Sequence, residues 1–187
     1  SVYAEMLPWD APAAELDRIM PKGIILSGGP NSVYDEHAPY LTDHVLERGI
    51  PILGICYGMQ LFAHELGGRV TPATHREYGL AQIHVDAKDD PLFRATPIDQ
   101  QVWMSHGDRI EALPAGFVST AHSGNAPFAA MRHAERGLYG LQFHPEVAHT
   151  EHGAALLRNY VVDICGCATD WTAGSIIRDS IDNIRAT

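Results

Sequence analysis

Gly54-Ile55-Cys56-Tyr57-Gly58 is the stretch whose residue types and spacing ask for chemistry. The pattern is Gly-x-Cys-x-Gly, the thiol form of a nucleophile elbow. A sharp turn from strand to helix crowds the positions two before and two after the nucleophile, and glycine relieves both. Residues 51–55 form an apolar run that predicts a buried strand. Residues 60–66 have helical spacing and stop at Gly67-Gly68. Cys56 stands at the joint. The start of the following helix would offer it a partial positive charge and free N–H groups, which favour the nucleophilic thiolate. A lone cysteine is usually a small core residue. One placed between glycines, a strand and a helix is a candidate nucleophile.

A thiol nucleophile needs a base. Gln142-Phe143-His144-Pro145-Glu146-Val147 offers His144 just past an apolar strand, with a carboxylate two residues on and Pro145 stiffening the link. A carboxylate beside an imidazole fixes its tautomer and stabilises its cation. The chain order is then Cys56, His144, Glu146. Gly28-Gly29-Pro30 is a turn whose backbone can approach a ligand closely. The N–H groups of Gly29 and Tyr57 are candidate oxyanion donors.

Elements must position these groups. Residues 2–7, 23–27 and 51–55 read as strands. Residues 12–20, capped by Asp10, and 38–48 read as helices. That alternation predicts a parallel α/β sheet with ligands at the carboxyl ends of its strands, where Gly28-Gly29 and Cys56 both lie. The second half changes character. Residues 80–85, 102–104, 117–121, 128–132 and 138–143 read as further strands, with a hairpin turn at Gly137. Residues 153–164 and 175–184 read as helices. The expected fold is an open, mostly parallel twisted sheet flanked by helices, with additional antiparallel strands in the second half.

Composition bounds the function. The 187 residues suffice for one domain with a full core. A formal net charge of -10 argues against nucleic acid as a partner, which needs clustered Lys and Arg. No apolar run approaches membrane-spanning length. Three cysteines, two of them the closely spaced Cys165 and Cys167, fit a reducing cytoplasm. The eleven histidines are scattered, so no metal site is expected.

Through these motifs the sequence resembles the class I (triad) glutamine amidotransferases, whose fold is flavodoxin-like. The resemblance rests on Gly54-Ile55-Cys56-Tyr57-Gly58-Met59-Gln60, Ser27-Gly28-Gly29-Pro30 and Phe143-His144-Pro145-Glu146-Val147. Within that class it is most similar to the amidotransferase domain of GMP synthetases. The finer likeness lies in Arg76-Glu77-Tyr78-Gly79, Trp103-Met104-Ser105-His106-Gly107-Asp108, and Asp163-Ile164-Cys165-Gly166-Cys167 followed by Trp171. It implies Cys56 as nucleophile, His144 as acid/base, Glu146 as its partner, and an oxyanion hole at Gly29 and Tyr57. It implies L-glutamine bound by Gly28, Gln60, Ser105, His106, Gly107 and Asp108, the last four on a loop. Ammonia would pass to an ATP pyrophosphatase domain or subunit that aminates XMP to GMP. No cofactor is expected in this domain. ATP and magnesium belong to the partner, and a homodimer is expected to form through that absent part. The chain is expected to be a single domain lacking the family's first strand and helix, with residues 168–187 leading toward the absent domain.

Other readings stay open at this point. The triad alone fits amidotransferases serving anthranilate, carbamoyl phosphate or CTP synthesis. It also fits a cysteine peptidase of the same elbow. A non-catalytic domain that has kept the fold is a further reading. Ser27-Gly28-Gly29-Pro30-Asn31-Ser32 mimics a pyrophosphate loop, but Pro30 removes a backbone donor and Asn31 stands where such a loop has a magnesium-binding Asp. Residues 75–79 could line the pocket or face a neighbouring domain.

Overall fold

The computed structural model describes residues 1–172 and Gly174, and for Thr74, His75 and Arg76 the backbone alone. Its elements run α1 (Ala13–Ile19), β1 (Ile24–Leu26), α2 (Asp43–Leu46), β2 (Ile52–Ile55), α3 (Tyr57–Glu65), β3 (Arg69–Val85) and a 3-10 turn (Pro91–Phe93). They continue through β4 (Asp99–Ala112), β5 (Val118–Ser123), β6 (Ala130–His133), β7 (Leu138–Leu141), α4 (Gly153–Arg158) and a π-helical turn (Asn159–Ile164). The described strands form one seven-stranded sheet in the order β1-β2-β7-β6-β5-β3-β4. β1, β2 and β7 are parallel. From β7 outward every pairing is antiparallel. The α/β class stands, and the antiparallel extension is its larger part.

β2 is apolar throughout because it is covered on both faces. Ile52 joins Met59, Leu61, Phe62, Met131 and Leu138 in one cluster under α3. Leu53 and Ile55 face Val102, Met104, Leu141, Phe143, Leu156 and Tyr160 in the other, under α4. The predicted helix over 153–164 changes to a π-helical turn at Asn159. The wider turn lets two neighbouring side chains point inward. Asn159 Nδ2 donates to the Leu92 and Arg94 carbonyls at 2.9 and 2.8 Å, and Tyr160 Oη donates to the Ile24 and Pro51 carbonyls at 2.7 and 2.8 Å.

Some expectations need correction. Residues 2–7 form no strand: they find no ladder partner, and Met6 is 97% exposed. Pro12, not Asp10, occupies the N-cap of α1 and makes no side-chain cap bond. The helix expected over 38–48 shrinks to Asp43–Leu46. The Pro39 carbonyl instead accepts the Tyr57 hydroxyl. The helix predicted over 175–184 lies outside the described residues. No described helix is long and apolar enough to cross a membrane.

Candidate active site

The elbow is as tight as its glycines require. A Cβ on Gly54 would stand 2.5 Å from the Gly58 carbonyl carbon, and one on Gly58 would stand 2.4 Å from the Leu26 carbonyl oxygen. Strand β2, the turn and strand β1 therefore touch backbone to backbone. Cys56 absorbs the bend at φ 53° and ψ -104°, a left-handed backbone that a side chain rarely adopts. Such strain costs about 1–3 kcal/mol and persists only where the surroundings enforce it. The enforcement here is the bond from Cys56 N to the Leu141 carbonyl at 2.7 Å, with the first turn of α3 closing on the Cys56 carbonyl.

β7 lies directly beside β2, with Ile55 opposite Leu141. His144 follows three residues beyond β7. A Cβ placed on Gly28 would lie 3.6 Å from Cys56 Cβ and 3.0 Å from His144 Cε1. Thiol and imidazole thus share one corner, and a side chain at Gly28 would press on the His144 ring. His144 Nδ1 bonds Glu146 Oε1 at 2.7 Å. A carboxylate accepts only, so Nδ1 donates and Nε2 is left free toward the corner. Thr150 braces this loop. Its hydroxyl donates to the His144 carbonyl at 2.6 Å and accepts from Trp103 N–H at 3.1 Å.

Burial outweighs the helix start at Cys56. Desolvation pushes the thiol up to about 11, Glu146 adds to the rise, and the Tyr57 backbone N–H pulls the other way. Burial therefore opposes the thiolate that the helix start favours, and the Cys56 Sγ faces the Ser105 carbonyl at 3.5 Å. The N–H groups of Gly29 and Tyr57 have no backbone partner among the described residues. The Gly29 Cβ position would lie 3.8 Å from the Tyr57 ring, so Gly29 lies beside Tyr57.

A cleft of about 590 Å³ opens here, lined by Cys56, Gly29, Ser105, Gly107 and Asp108 among others. Ser105–Asp108 is not the expected loop. It lies inside β4, where alternate residues from Gln100 to Ile110 point inward. Asp108 is held at both ends. Its carboxylate accepts from Ser32 Oγ at 2.5 Å and Tyr34 Oη at 2.8 Å. Its carbonyl accepts from Gln60 Nε2 at 3.0 Å and His106 Nδ1 at 2.8 Å. Gln60 also donates to Gln142 Oε1 at 3.2 Å. It is buried and lines the cleft, with its amide nitrogen held by these two acceptors. Of residues 75–79, Tyr78 lines the cleft and Glu77 stands against His106. Sequence reasoning missed Ser32, Tyr34, Gln142 and Thr150. Each acts through a partner far along the chain, which the residues beside it in sequence do not reveal.

Comparison with known proteins gives a consistent outcome. The family model "Glutamine amidotransferase class-I" matches residues 1–164. A glutamine-hydrolysing GMP synthase of Thermomicrobium roseum is 58% identical over 184 residues, covering 98% of this chain and 34% of that protein. One of Gloeobacter violaceus is 50% identical over 185 residues, covering 99% of this chain and 33% of that protein. This chain therefore spans about a third of the length of the curated relatives it matches. A Thermoplasma acidophilum protein, described as a candidate component of a GMP synthase, is a structural neighbour at TM-score 0.76 and 33% identity. That match covers 87% of this chain and 80% of its own.

Proposed function

The chain belongs to the class-I glutamine amidotransferase family, and from that premise we propose that it is the glutaminase part of a GMP synthase. The observation that carries the reaction is the strained Cys56 sharing one corner with His144 while Glu146 holds the imidazole by Nδ1. The observation that carries the assignment to GMP synthase is 58% identity to such an enzyme across nearly the whole chain.

In this reading glutamine enters the cleft with its α-ammonium on the Asp108 carboxylate, an anion already oriented by Ser32 and Tyr34. Gly28, Gln60, Ser105, His106 and Gly107 shape the rest of the subsite. The resting thiol is neutral, so attack begins with proton transfer from Cys56 Sγ to His144 Nε2 as the side-chain amide arrives. Sγ bonds to the amide carbon, and the oxyanion is received by the N–H groups of Gly29 and Tyr57. His144 returns the proton to the departing nitrogen, and ammonia leaves a glutamyl thioester. The same imidazole then takes a proton from water, which cleaves the thioester to glutamate and restores the thiol. Glu146 stabilises the imidazolium in both halves.

The ammonia is consumed by the remainder of the enzyme, an ATP pyrophosphatase domain or subunit that aminates XMP with ATP and magnesium. This domain uses no cofactor of its own.

The test is the intact mass of the chain after exposure to a glutamine chloroketone, with Cys56→Ala as control. One adduct at Cys56, suppressed by glutamine, is expected. A folded chain that gains no adduct overturns the reading.

A further inference from the structure

Glu77 and His106 are cross-strand partners at the point where the β3–β4 register resumes after its irregularity at Pro72. Their side chains are 11% and 2% exposed, and Nε2 of His106 stands 3.3 Å from Oε2 of Glu77. Among the described residues neither of these two atoms has a hydrogen-bond partner under ordinary geometry. The other ends of both groups are engaged. His106 Nδ1 meets the Asp108 carbonyl at 2.8 Å, and Glu77 Oε1 meets the Ser123 hydroxyl at 3.4 Å.

The proton count follows from these contacts. A carbonyl oxygen only accepts, so His106 Nδ1 carries a hydrogen. In a neutral ring Nε2 would then be an acceptor, facing a carboxylate oxygen that is also an acceptor. Two buried acceptors left facing each other are strongly unfavourable. One more proton on Nε2 turns the contact into an imidazolium–carboxylate pair and satisfies both atoms. Among the described residues the titratable groups near this pair are Asp108 on the same strand, the Cys56 thiol across the cleft, and Tyr34 beyond the Asp108 carboxylate.

We infer that Glu77 is a positioning residue for glutamine: it keeps both ring nitrogens of His106 donating, and so fixes the Asp108 main chain that presents its carboxylate to the substrate. Gln60 grips the same carbonyl from α3. Without the second proton the ring is free to turn its donor toward Glu77, and the Asp108 carbonyl loses one of its two anchors. The role rests on the proposed glutamine site, because the α-ammonium is what Asp108 would receive. Glu77 itself touches no reacting atom.

Two measurements on the full 187-residue chain test it, with wild type, Glu77→Gln, Glu77→Ala and, for resonance assignment, His106→Asn. The first is NMR of histidine-labelled protein at about pH 7.5. Expected is a His106 ring protonated on both nitrogens in the wild type and a neutral ring in Glu77→Gln. A neutral wild-type ring overturns the inference. The second is the concentration dependence of Cys56 inactivation by the glutamine chloroketone. The variant here is Glu77→Ala, because a glutamine amide would donate to the unprotonated Nε2 and leave Nδ1–H on the Asp108 carbonyl. In Glu77→Ala the ring is free to turn, and the half-saturating concentration should rise roughly tenfold, as for loss of one charge-assisted hydrogen bond, while the limiting rate changes little; in Glu77→Gln the half-saturation should rise much less. An unchanged half-saturation in Glu77→Ala, or an equal rise in both variants, overturns the inference. If the wild type forms no adduct at all, the glutamine reading falls and the binding role of Glu77 with it, while the NMR still decides the pair.

Discussion

Around Cys56 every residue from 52 to 63 is buried, whereas along β4 burial alternates residue by residue and on β3 Tyr78 and Leu80 stand in solvent. The two regions form opposite walls of one cleft. In the elbow, backbone packs on backbone, and the nucleophile's geometry is set by atoms that have no freedom to yield. In the hairpin, side chains reach each other through hydrogen bonds across an irregular register. The difference separates two demands on an enzyme. Bond-making needs a fixed position, and recognition needs a surface whose individual contacts can be replaced.

The most severe way to test that contrast is Gly58→Ala. Its Cβ would collide with the Leu26 carbonyl, and neither partner is a flexible side chain. A loss of about 3 kcal/mol or more is expected, seen as a melting temperature lowered by roughly 6–12 °C. Gly124→Ala, where no heavy atom lies within 4 Å, is the control. Equal melting of the two variants would mean that the elbow is softer than its contacts imply.

A milder test concerns the thiol. Its value is raised to about 11 by burial, so the reactive thiolate is scarce at neutral pH and grows as pH rises. Iodoacetamide labelling of Cys56, followed by peptide mass spectrometry, should increase about tenfold per pH unit from about 7 to about 9 without a plateau. A plateau below about pH 8 would show a thiolate already held at rest.

The smallest effect is expected at the other wall. Tyr78 is 63% exposed, so Tyr78→Ala should leave stability within about 0.5 kcal/mol. The glutamine analogue should nonetheless bind a few-fold more weakly, because the ring lines the cleft. A large drop in melting temperature would put Tyr78 in the framework and blur the division.

The same division explains what the sequence discloses. The elbow is legible because its cause is local: Gly54 and Gly58 stand within two residues of the atom they serve. His144-Pro145-Glu146 is legible for the same reason. The two strands that carry these motifs were legible as apolar runs. Ser105–Asp108 read as a loop because polar residues broke the apolar pattern, yet they belong to a strand beside a polar cleft, with His106 and Asp108 on its buried face. Ser32 and Tyr34 left no local trace, since the carboxylate they bond lies 76 and 74 positions away. Glu77 stood in a quoted stretch, but its partner His106 comes from another strand, and Thr150 reaches Trp103 47 positions back as well as the nearby His144 carbonyl. Residues 2–7 failed in the opposite sense: the pattern of a strand was present and the neighbour that completes a ladder was not.

β7 enters the sheet between β2 and β6, although it follows both in the chain. As a ribosome releases the polypeptide, Cys56 emerges roughly eighty residues ahead of the strand that will carry His144 to its side. Throughout that interval the thiol has no base, and the Leu141 carbonyl that helps enforce its bend is missing. Slotting a central strand between two earlier ones is a non-local step that follows local helix formation. On the proposed reaction, reactivity would therefore switch on late in folding, and an unfinished chain would carry an idle cysteine instead of a stray catalyst.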